Sequence, residues 1–303
     1  MAITAKDVQN LREMTGVGMM DCKKALTEAE GNIDKAIEIL REKGLAASAK
    51  KAGRIAAEGM AYAAVVDGMG VVVEVNAETD FVAKNEKFVD FVKGVAATVA
   101  ANKPADLDAL MACKYAGTDK TVTEQQQEMV LVIGENIKVR RFFFFAENTS
   151  VPYIHAGGKI GVLVNLKVEG GIDATEIGKD VAMQIAALNP RFWDKSQVTQ
   201  DVLDEEKKIM LAQMDNDPKM ASKPEQVKVK IVEGKLNKFY AENCLLQQDF
   251  VKDGEFTVEK YIASAAKALG GTVTFVSAVR FEKGEGIEKR VDDFAAEVAS
   301  MIK

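Results

Sequence analysis

Apolar positions recur at helical spacing from Thr4 to about Gly44. Val8 and Leu11 follow Thr4 and Asp7, which resemble a capping box, and Gly16 is placed to end this first helix. The pattern therefore predicts that the chain begins with a short amphipathic helix.

Two further helices follow in the same segment. Asp21 is a candidate N-cap for a second helix that runs through Leu26, and Gly31-Asn32 breaks it. A third amphipathic helix is predicted to end at Gly44, where a C-terminal glycine is common. Together the three helices predict a small bundle.

The stretch Leu45–Glu58 is rich in Ala, Lys and Ser, and it predicts either a tether or a further polar helix. Residues 1–54 carry ten basic and eight acidic side chains, a net charge of +2. Because charge runs of this kind are usually solvated, we interpret the stretch as a linker rather than an RNA site.

Strand patterns appear next. The apolar runs Met60–Val66 and Val71–Val75 enclose Asp67–Gly70 and predict a β-hairpin. The segment Thr79–Val82 then leads into an amphipathic helix, with Asp80 as its expected N-cap and Phe81 projecting from its first turn. Capping and core packing explain this segment about as well as a functional role does.

A second copy of this arrangement follows. Gly70–Val75 aligns with Gly161–Leu166, 91 residues later, and Val139-Arg140 aligns with Val279-Arg280, 140 residues later. The pattern predicts two related α/β subdomains, of which the second carries 49 extra residues. Thin apolar seams near Asn189–Asn243, including Met214 and Val229, predict that these extra residues form an antiparallel helical pair. An amphipathic helix is expected at Ile287–Ile302.

Composition argues against most side-chain catalysis. Among 303 residues there is one histidine, His155, and the three cysteines, Cys22, Cys113 and Cys244, are far apart. This pattern predicts buried free thiols rather than a zinc site or a disulfide framework. The net charge of −6 speaks against bulk attraction to nucleic acid, and no apolar run approaches the roughly 20 residues of a membrane span. We expect a soluble, cytoplasmic protein without a cofactor.

Motifs for nucleotide chemistry fail at specific positions. Gly157-Gly158-Lys159 lacks the Ser or Thr and the earlier glycine of a phosphate-binding loop, so a tight turn is the better interpretation. Met19 and Met20 at a helix start suit an adaptable binding surface, although the sequence alone favours core packing in the bundle. The aromatic run Phe142–Phe145 predicts either a buried strand or a contact surface.

Several strings of the chain closely resemble bacterial translation elongation factor Ts. They occur in the order of that family and span most of the chain; Ala77 stands where many members have Cys, and 102–127 and Phe142–Phe145 match no known pattern. The matching segments are Leu11–Leu26, Glu74–Asn85, His155–Val164 and Arg280–Lys289.

The resemblance implies a guanine nucleotide exchange factor for elongation factor Tu, with no reaction chemistry of its own. It implies that Arg12, Met19 and Met20 contact the GTPase, that Asp80 and Phe81 wedge near its nucleotide and magnesium, and that His155 belongs to a further contact. It also implies that the segment Thr79–Val82, made up of Thr79, Asp80, Phe81 and Val82, displaces magnesium. Homodimerisation of the complex stays open.

The fold expected from pattern and resemblance together is α+β. It comprises a ubiquitin-associated-like three-helix bundle with its linker, two related subdomains with antiparallel sheets, a coiled-coil hairpin insertion and a C-terminal helix. The expected boundaries are 1–54 for the bundle and linker, 55–148 for the first subdomain, 149–189 with 244–282 for the second, 190–243 for the hairpin and 283–303 for the C-terminal module. The alternative function is a non-catalytic module that binds RNA or the ribosome, which steep salt dependence would reveal.

Overall fold

The computed structural model describes residues 3–288 and is a mixed α+β structure with antiparallel sheets. The chain forms two compact units. Among the described residues, the first contains 3–144, Ile154–Gly161 and 281–288, and the second contains Phe145–Tyr153 and Val162–Arg280. The helix expected at Ile287–Ile302 falls almost wholly on 289–303, outside the described residues.

The first unit begins with the expected three-helix bundle. Its helices are α1 (Ala5–Thr15), α2 (Met19–Glu28) and α3 (Ile33–Lys51). The predicted capping box is present: Asp7 N–H donates to the Thr4 hydroxyl at 3.2 Å, and Thr4 N–H donates to the Asp7 carboxylate at 2.9 Å. Gly16 ends α1 with a φ of 67°. Leu11, Cys22 and Leu26 are fully buried and form the centre of the bundle core.

The prediction that the third helix ends at Gly44 is wrong, because α3 continues to Lys51. Gly44 is buried, and a methyl group added there would lie 3.5 Å from the carbonyl oxygen of Gln127. Close packing against a neighbouring helix thus overrides the low helix propensity of glycine. The interpretation of the following stretch as a solvated linker is also wrong in part, since Lys51 Nζ lies 3.5 Å from the carbonyl oxygen of Val130.

The predicted hairpin is present but has a shorter turn. Its strands pair antiparallel with Val66 opposite Met69, so only Asp67 and Gly68 form the turn. Both have positive φ, 49° and 81°, as the tightest hairpin turns require. The strands of this sheet, in spatial order, are β1 (Glu58–Val66), β2 (Met69–Ala77) and β3 (Lys138–Phe145).

Four helices accompany this sheet: α4 (Asp80–Ala83), α5 (Glu86–Asn102), α6 (Leu107–Ala112) and α7 (Val122–Ile133). Every residue of β2 is buried. The valines Val71, Val73 and Val75 belong to one core with Phe88 and Val92 of α5. The stretch 102–127, for which the sequence supplied no assignment, contains α6 and the start of α7.

The second unit holds another three-stranded sheet with the spatial order β4 (Thr149–His155), β5 (Ile160–Glu169), β8 (Thr272–Glu282). Helix α8 (Thr175–Leu188) follows β5, as α5 follows β2. In both sheets the second strand along the chain lies in the centre, which agrees with the repeat seen in the sequence. Between α8 and β8 the chain also forms β6 (Asp249–Phe250), β7 (Asp253–Thr257) and α12 (Val258–Ala268).

The expected helical pair is present after α8. It consists of α9 (Gln200–Asn216), the short α10 (Pro218–Ala221) and α11 (Glu225–Asn243). Lys228 of α11 contacts the carboxylate of Asp215 in α9 at 2.6 Å. Val229, placed in a seam by the sequence pattern, is 43% exposed instead. The buried side chains of the pair are Met214, Val232 and Phe239.

Candidate functional site

The corner between β2 and α4 displays the candidate wedge. Thr79, not Asp80, is the N-cap: its backbone is extended, and its hydroxyl accepts the N–H of Val82 at 3.4 Å. The prediction of an Asp80 cap is wrong because the Asp80 carboxylate turns outward and accepts a hydrogen bond from Lys84 at 2.9 Å. Phe81 projects from the first turn as predicted and is 80% exposed, more than any other large hydrophobic side chain among the described residues.

Two carboxylates hold this corner in place. Glu135 accepts hydrogen bonds from the backbone N–H groups of Glu78 and Thr79 at 3.1 and 3.0 Å, and from the Thr79 hydroxyl at 2.7 Å. In return, the Glu78 carboxylate accepts the N–H of Asn136 at 2.6 Å. Arg54 adds an ion pair to Glu78 at 3.4 Å. The backbone immediately before Asp80 is therefore fixed from both sides.

The charge of Asp80 is stabilised by its neighbours. The hydrogen bond and the positive charge of Lys84 lower the pKa of Asp80 below its usual value, and Lys283 contributes in the same direction. Asp80 is therefore ionised at neutral pH. The corner thus presents a carboxylate and an aromatic ring at successive positions, which is suited to contact with a partner rather than to packing within this chain.

The buried carboxylate of Glu74 fixes the turn that contains Lys283. Glu74 is fully buried in β2 and accepts hydrogen bonds from Arg140 at 2.9 Å, Arg141 at 2.5 Å and the N–H of Gly284 at 2.8 Å. A buried carboxylate requires such partners. These bonds hold the turn that follows β8 against the first sheet, so that the charge of Lys283 acts on Asp80.

The bundle presents the other candidate contacts. Met19 and Met20 are the first two residues of α2 and are 44% and 65% exposed, which excludes core packing as their main role. The prediction of an Asp21 cap is wrong: Gly18 precedes α2 and supplies no side-chain cap, and Asp21 lies in the first turn. Arg12 lies exposed in the last turn of α1.

Lys87 connects these two regions. It lines a depression of about 550 Å³ together with Arg12, Gly16 and Met19. It also lines a neighbouring depression of about 530 Å³ together with Phe81. Its Nζ lies 3.4 Å from the carbonyl oxygen of Gly16. The first unit thus brings the candidate residues of the bundle and of the corner to adjacent surfaces.

His155 does not line either depression. It is exposed at the end of β4, before a tight turn in which Gly157 and Gly158 have φ values of 65° and 99°. A methyl group added at Gly158 would come within 2.6 Å of the Met60 side chain. The glycines therefore form a tight turn against β1, as expected.

The sequence predicts buried free thiols, and the structure confirms burial for two of the three cysteines. Cys22 and Cys244 are buried and free, and Cys113 is half-buried. Burial raises the pKa of Cys22, and it raises the pKa of Cys244 to about 11. Both buried thiols are therefore protonated at neutral pH.

The sequence patterns did not identify several residues that hold the site in place. Glu74, Lys87 and Glu135 lie on different elements, and the Glu135–Thr79 contact spans 56 positions. Within residues 3–288, no cluster of three metal-ligating side chains occurs, and no helix is both long enough and apolar enough to cross a bilayer.

Comparison with known proteins gives a consistent match. The family model described as Elongation factor TS matches residues 78–285. A protein named Elongation factor Ts from Syntrophotalea carbinolica is 50% identical over 100% of both chains. Its namesakes from Clostridium perfringens and Trichlorobacter lovleyi are 49% and 48% identical, each covering 99% of this chain and 99% and 98% of their own lengths. With the family model and full-length relatives in agreement, this chain belongs to the elongation factor Ts family of translation factors.

Proposed function

We propose that this protein is a guanine nucleotide exchange factor that binds the GDP form of elongation factor Tu in the cytoplasm. It promotes GDP release so that GTP can bind during protein synthesis. The observation that carries this proposal is the rigidly held corner with the exposed Phe81 ring beside the ionised Asp80, in a chain of this family. The protein contributes contacts and performs no bond chemistry.

Exchange of this kind follows from linkage. If the factor and GDP bind to the same GTPase and oppose each other, each weakens the affinity of the other by the same ratio. Magnesium bridges the nucleotide phosphates to the GTPase, so contacts that disturb its ligands weaken the hold on GDP. The factor therefore needs a firm docking surface and a projection that fits poorly with bound magnesium and GDP.

The exposed residues divide into these two tasks. Arg12, Met19 and Met20 dock the bundle on the GTPase. Phe81 enters an apolar pocket of the partner, while Asp80 places a negative charge near the magnesium-linked network and displaces the metal. Burial of a Phe side chain contributes about 1.5–3 kcal/mol, enough to offset part of the lost nucleotide contacts. His155 makes a further contact with the partner.

The remaining regions take supporting roles. In this proposal residues 1–54 form the docking bundle and its linker, 55–148 form the first core subdomain, and 149–189 with 244–282 form the second. Residues 190–243 form the hairpin insertion and 283–303 the C-terminal module. Homodimerisation of the complex stays a prediction.

The test is the rate at which fluorescent GDP leaves elongation factor Tu. The double variant Asp80→Ala, Phe81→Ala should lower the maximal release rate by about a hundredfold, since a contact made only in the displaced state is lost. The control is Phe256→Ala, which removes another exposed ring, 36% accessible, from β7. Wild-type release by the double variant, with binding to the GTPase retained, would contradict the wedge.

A further inference from the structure

The loop between α7 and β3 contains a side chain whose hydrogen bonds all go to the base of the wedge. Helix α7 ends at Gly134, whose φ is 88°, and Glu135 follows directly. The Glu135 carboxylate accepts from the N–H groups of Glu78 and Thr79 and from the Thr79 hydroxyl, at 3.1, 3.0 and 2.7 Å. These donors belong to the two residues that immediately precede Asp80.

Two of those donors are backbone N–H groups at the junction between β2 and α4. The chain leaves β2 at Ala77 and enters α4 at Asp80, so Glu78 and Thr79 lie outside both the sheet and the helix. Backbone N–H groups at such a junction need an acceptor when they are shielded from water. One carboxylate therefore satisfies both groups and fixes the direction in which α4 starts.

A reciprocal contact prevents this junction from pivoting. The Glu78 carboxylate accepts the N–H of Asn136 at 2.6 Å, and the Asn136 side chain donates to the carbonyl oxygen of Arg54 at 2.8 Å. Lys51, at the end of α3, interacts electrostatically with both Glu78 and Glu135. The corner is thus joined to the loop after α7 and to the chain that leaves the bundle.

We infer that Glu135 is a positioning residue for nucleotide exchange, because its carboxylate fixes the orientation in which Asp80 and Phe81 meet the GTPase. This inference rests on the proposed function. Glu135 acts through its hydrogen bonds to Glu78 and Thr79. A displacement of about 1 Å at a reacting site can cost on the order of a hundredfold in rate. Since Glu78 still holds Asn136 when Glu135 is removed, we expect about a tenfold loss.

The first experiment compares two substitutions at this position in the full-length protein. Glu135→Ala removes all three acceptor contacts and should lower the maximal GDP release rate by about tenfold, with little change in the half-saturating factor concentration. Glu135→Gln keeps an oxygen for the two N–H groups and an amide that can donate to the Thr79 hydroxyl. It should therefore restore the rate to within about twofold of the wild type.

A matched control separates positioning from loss of stability. Glu128→Ala removes another partly buried carboxylate, one that lies within α7 and pairs with Lys120. This variant should release GDP at the wild-type rate. If Glu135→Ala fails to fold, Glu135→Asp tests the same contacts, because it keeps the charge but shortens the side chain by a methylene group and so withdraws the carboxylate from Glu78 and Thr79. It should slow release in the same way.

A double-mutant cycle decides whether Glu135 acts through the wedge. In an Asp80→Ala, Phe81→Ala background, Glu135→Ala should cause no further loss of release rate, since residues acting as a unit are not additive. Full additivity, or a wild-type rate for Glu135→Ala alone while the Asp80→Ala, Phe81→Ala background is slow, would overturn the inference and leave the proposed function intact. A wild-type rate for the Asp80→Ala, Phe81→Ala protein would instead overturn the proposed function.

Discussion

The Asp80–Phe81 corner and the Met19–Met20 start of α2 both expose apolar side chains, but the fold holds them differently. The backbone before Asp80 is fixed by the Glu135 carboxylate, and Thr79 supplies a side-chain cap. Helix α2 has only Gly18 at its N-cap, without a side-chain hydrogen bond. The Asp80–Phe81 corner is therefore a rigid projection on a fixed backbone, whereas the start of α2 presents flexible side chains on a stable helix.

This difference is suited to two separate tasks. In the proposed function the corner must disturb a metal site, which requires that its side chains are held in one orientation. A docking surface gains from adaptable side chains, and methionine fits irregular surfaces with little strain. The comparison therefore predicts that changes at the corner alter the release rate, whereas changes in the bundle alter affinity.

The largest expected effect comes from the bundle core. Leu26 is fully buried, so Leu26→Ala should lower the free energy of unfolding by about 2–5 kcal/mol. The half-saturating factor concentration should rise by about tenfold or more, while the maximal release rate changes little, because Glu135 rather than Leu26 holds the corner. Chemical denaturation and release titrations measure the two quantities.

The matched control for this variant is Leu45→Ala, which truncates a leucine on α3 that is 52% exposed. It should leave both quantities near wild type. A parallel fall of the maximal rate in Leu26→Ala would show that the bundle and the corner are not separable, and the comparison would fail.

A smaller effect is expected from shape changes at the surface. Phe81→Leu should lower the maximal release rate by about fivefold, because a branched side chain fills a ring-shaped contact poorly and the fixed backbone cannot adjust. Met20→Leu should change either quantity by less than about twofold, because that side chain lies in an adaptable surface. Equal losses in the two variants would argue that both regions are rigid.

Local signals explain which parts of the fold were predictable. The capping box at Thr4 and Asp7 and the C-terminal glycine at Gly16 act within a few residues, and the structure confirms both. Gly44 gave the same local signal as Gly16, yet the helix continues there because it packs against α7. A glycine that ends a helix and a glycine that permits close packing cannot be distinguished without knowledge of the distant partner.

In the candidate site, too, features set by neighbouring residues were predictable and features set by distant residues were not. The sequence placed Phe81 on the first turn of a helix, and its exposure confirms that placement. The pattern favoured Asp80 as the cap, and this prediction is wrong because Thr79 also suits that position and the choice between them depends on Lys84 and Glu135. Glu135 itself had no signal, since an acidic residue after a helix-ending glycine is ordinarily solvated. Its role arises only from contacts with residues 78 and 79.

An effect smaller than that of Phe81→Leu is expected at Lys87, which lines the depressions beside Arg12 and beside Phe81. Its contact with the Gly16 carbonyl oxygen is exposed, at 3.4 Å, and such contacts contribute little to stability. Lys87→Gln should therefore leave the unfolding midpoint unchanged and raise the half-saturating factor concentration by about threefold at low salt. The effect should fade at about 0.5 M salt, where charges at the surface are screened within a few ångströms.

Lys93→Gln on the exposed face of α5, whose partner Asp90 lies at 3.7 Å, is the matched control and should show no change. A loss of affinity in Lys87→Gln that does not depend on salt, or a fall in its maximal release rate, would show that this lysine supports the rigid corner as well as the docking surface. Lys87 would then belong to the corner rather than to the docking surface of the bundle.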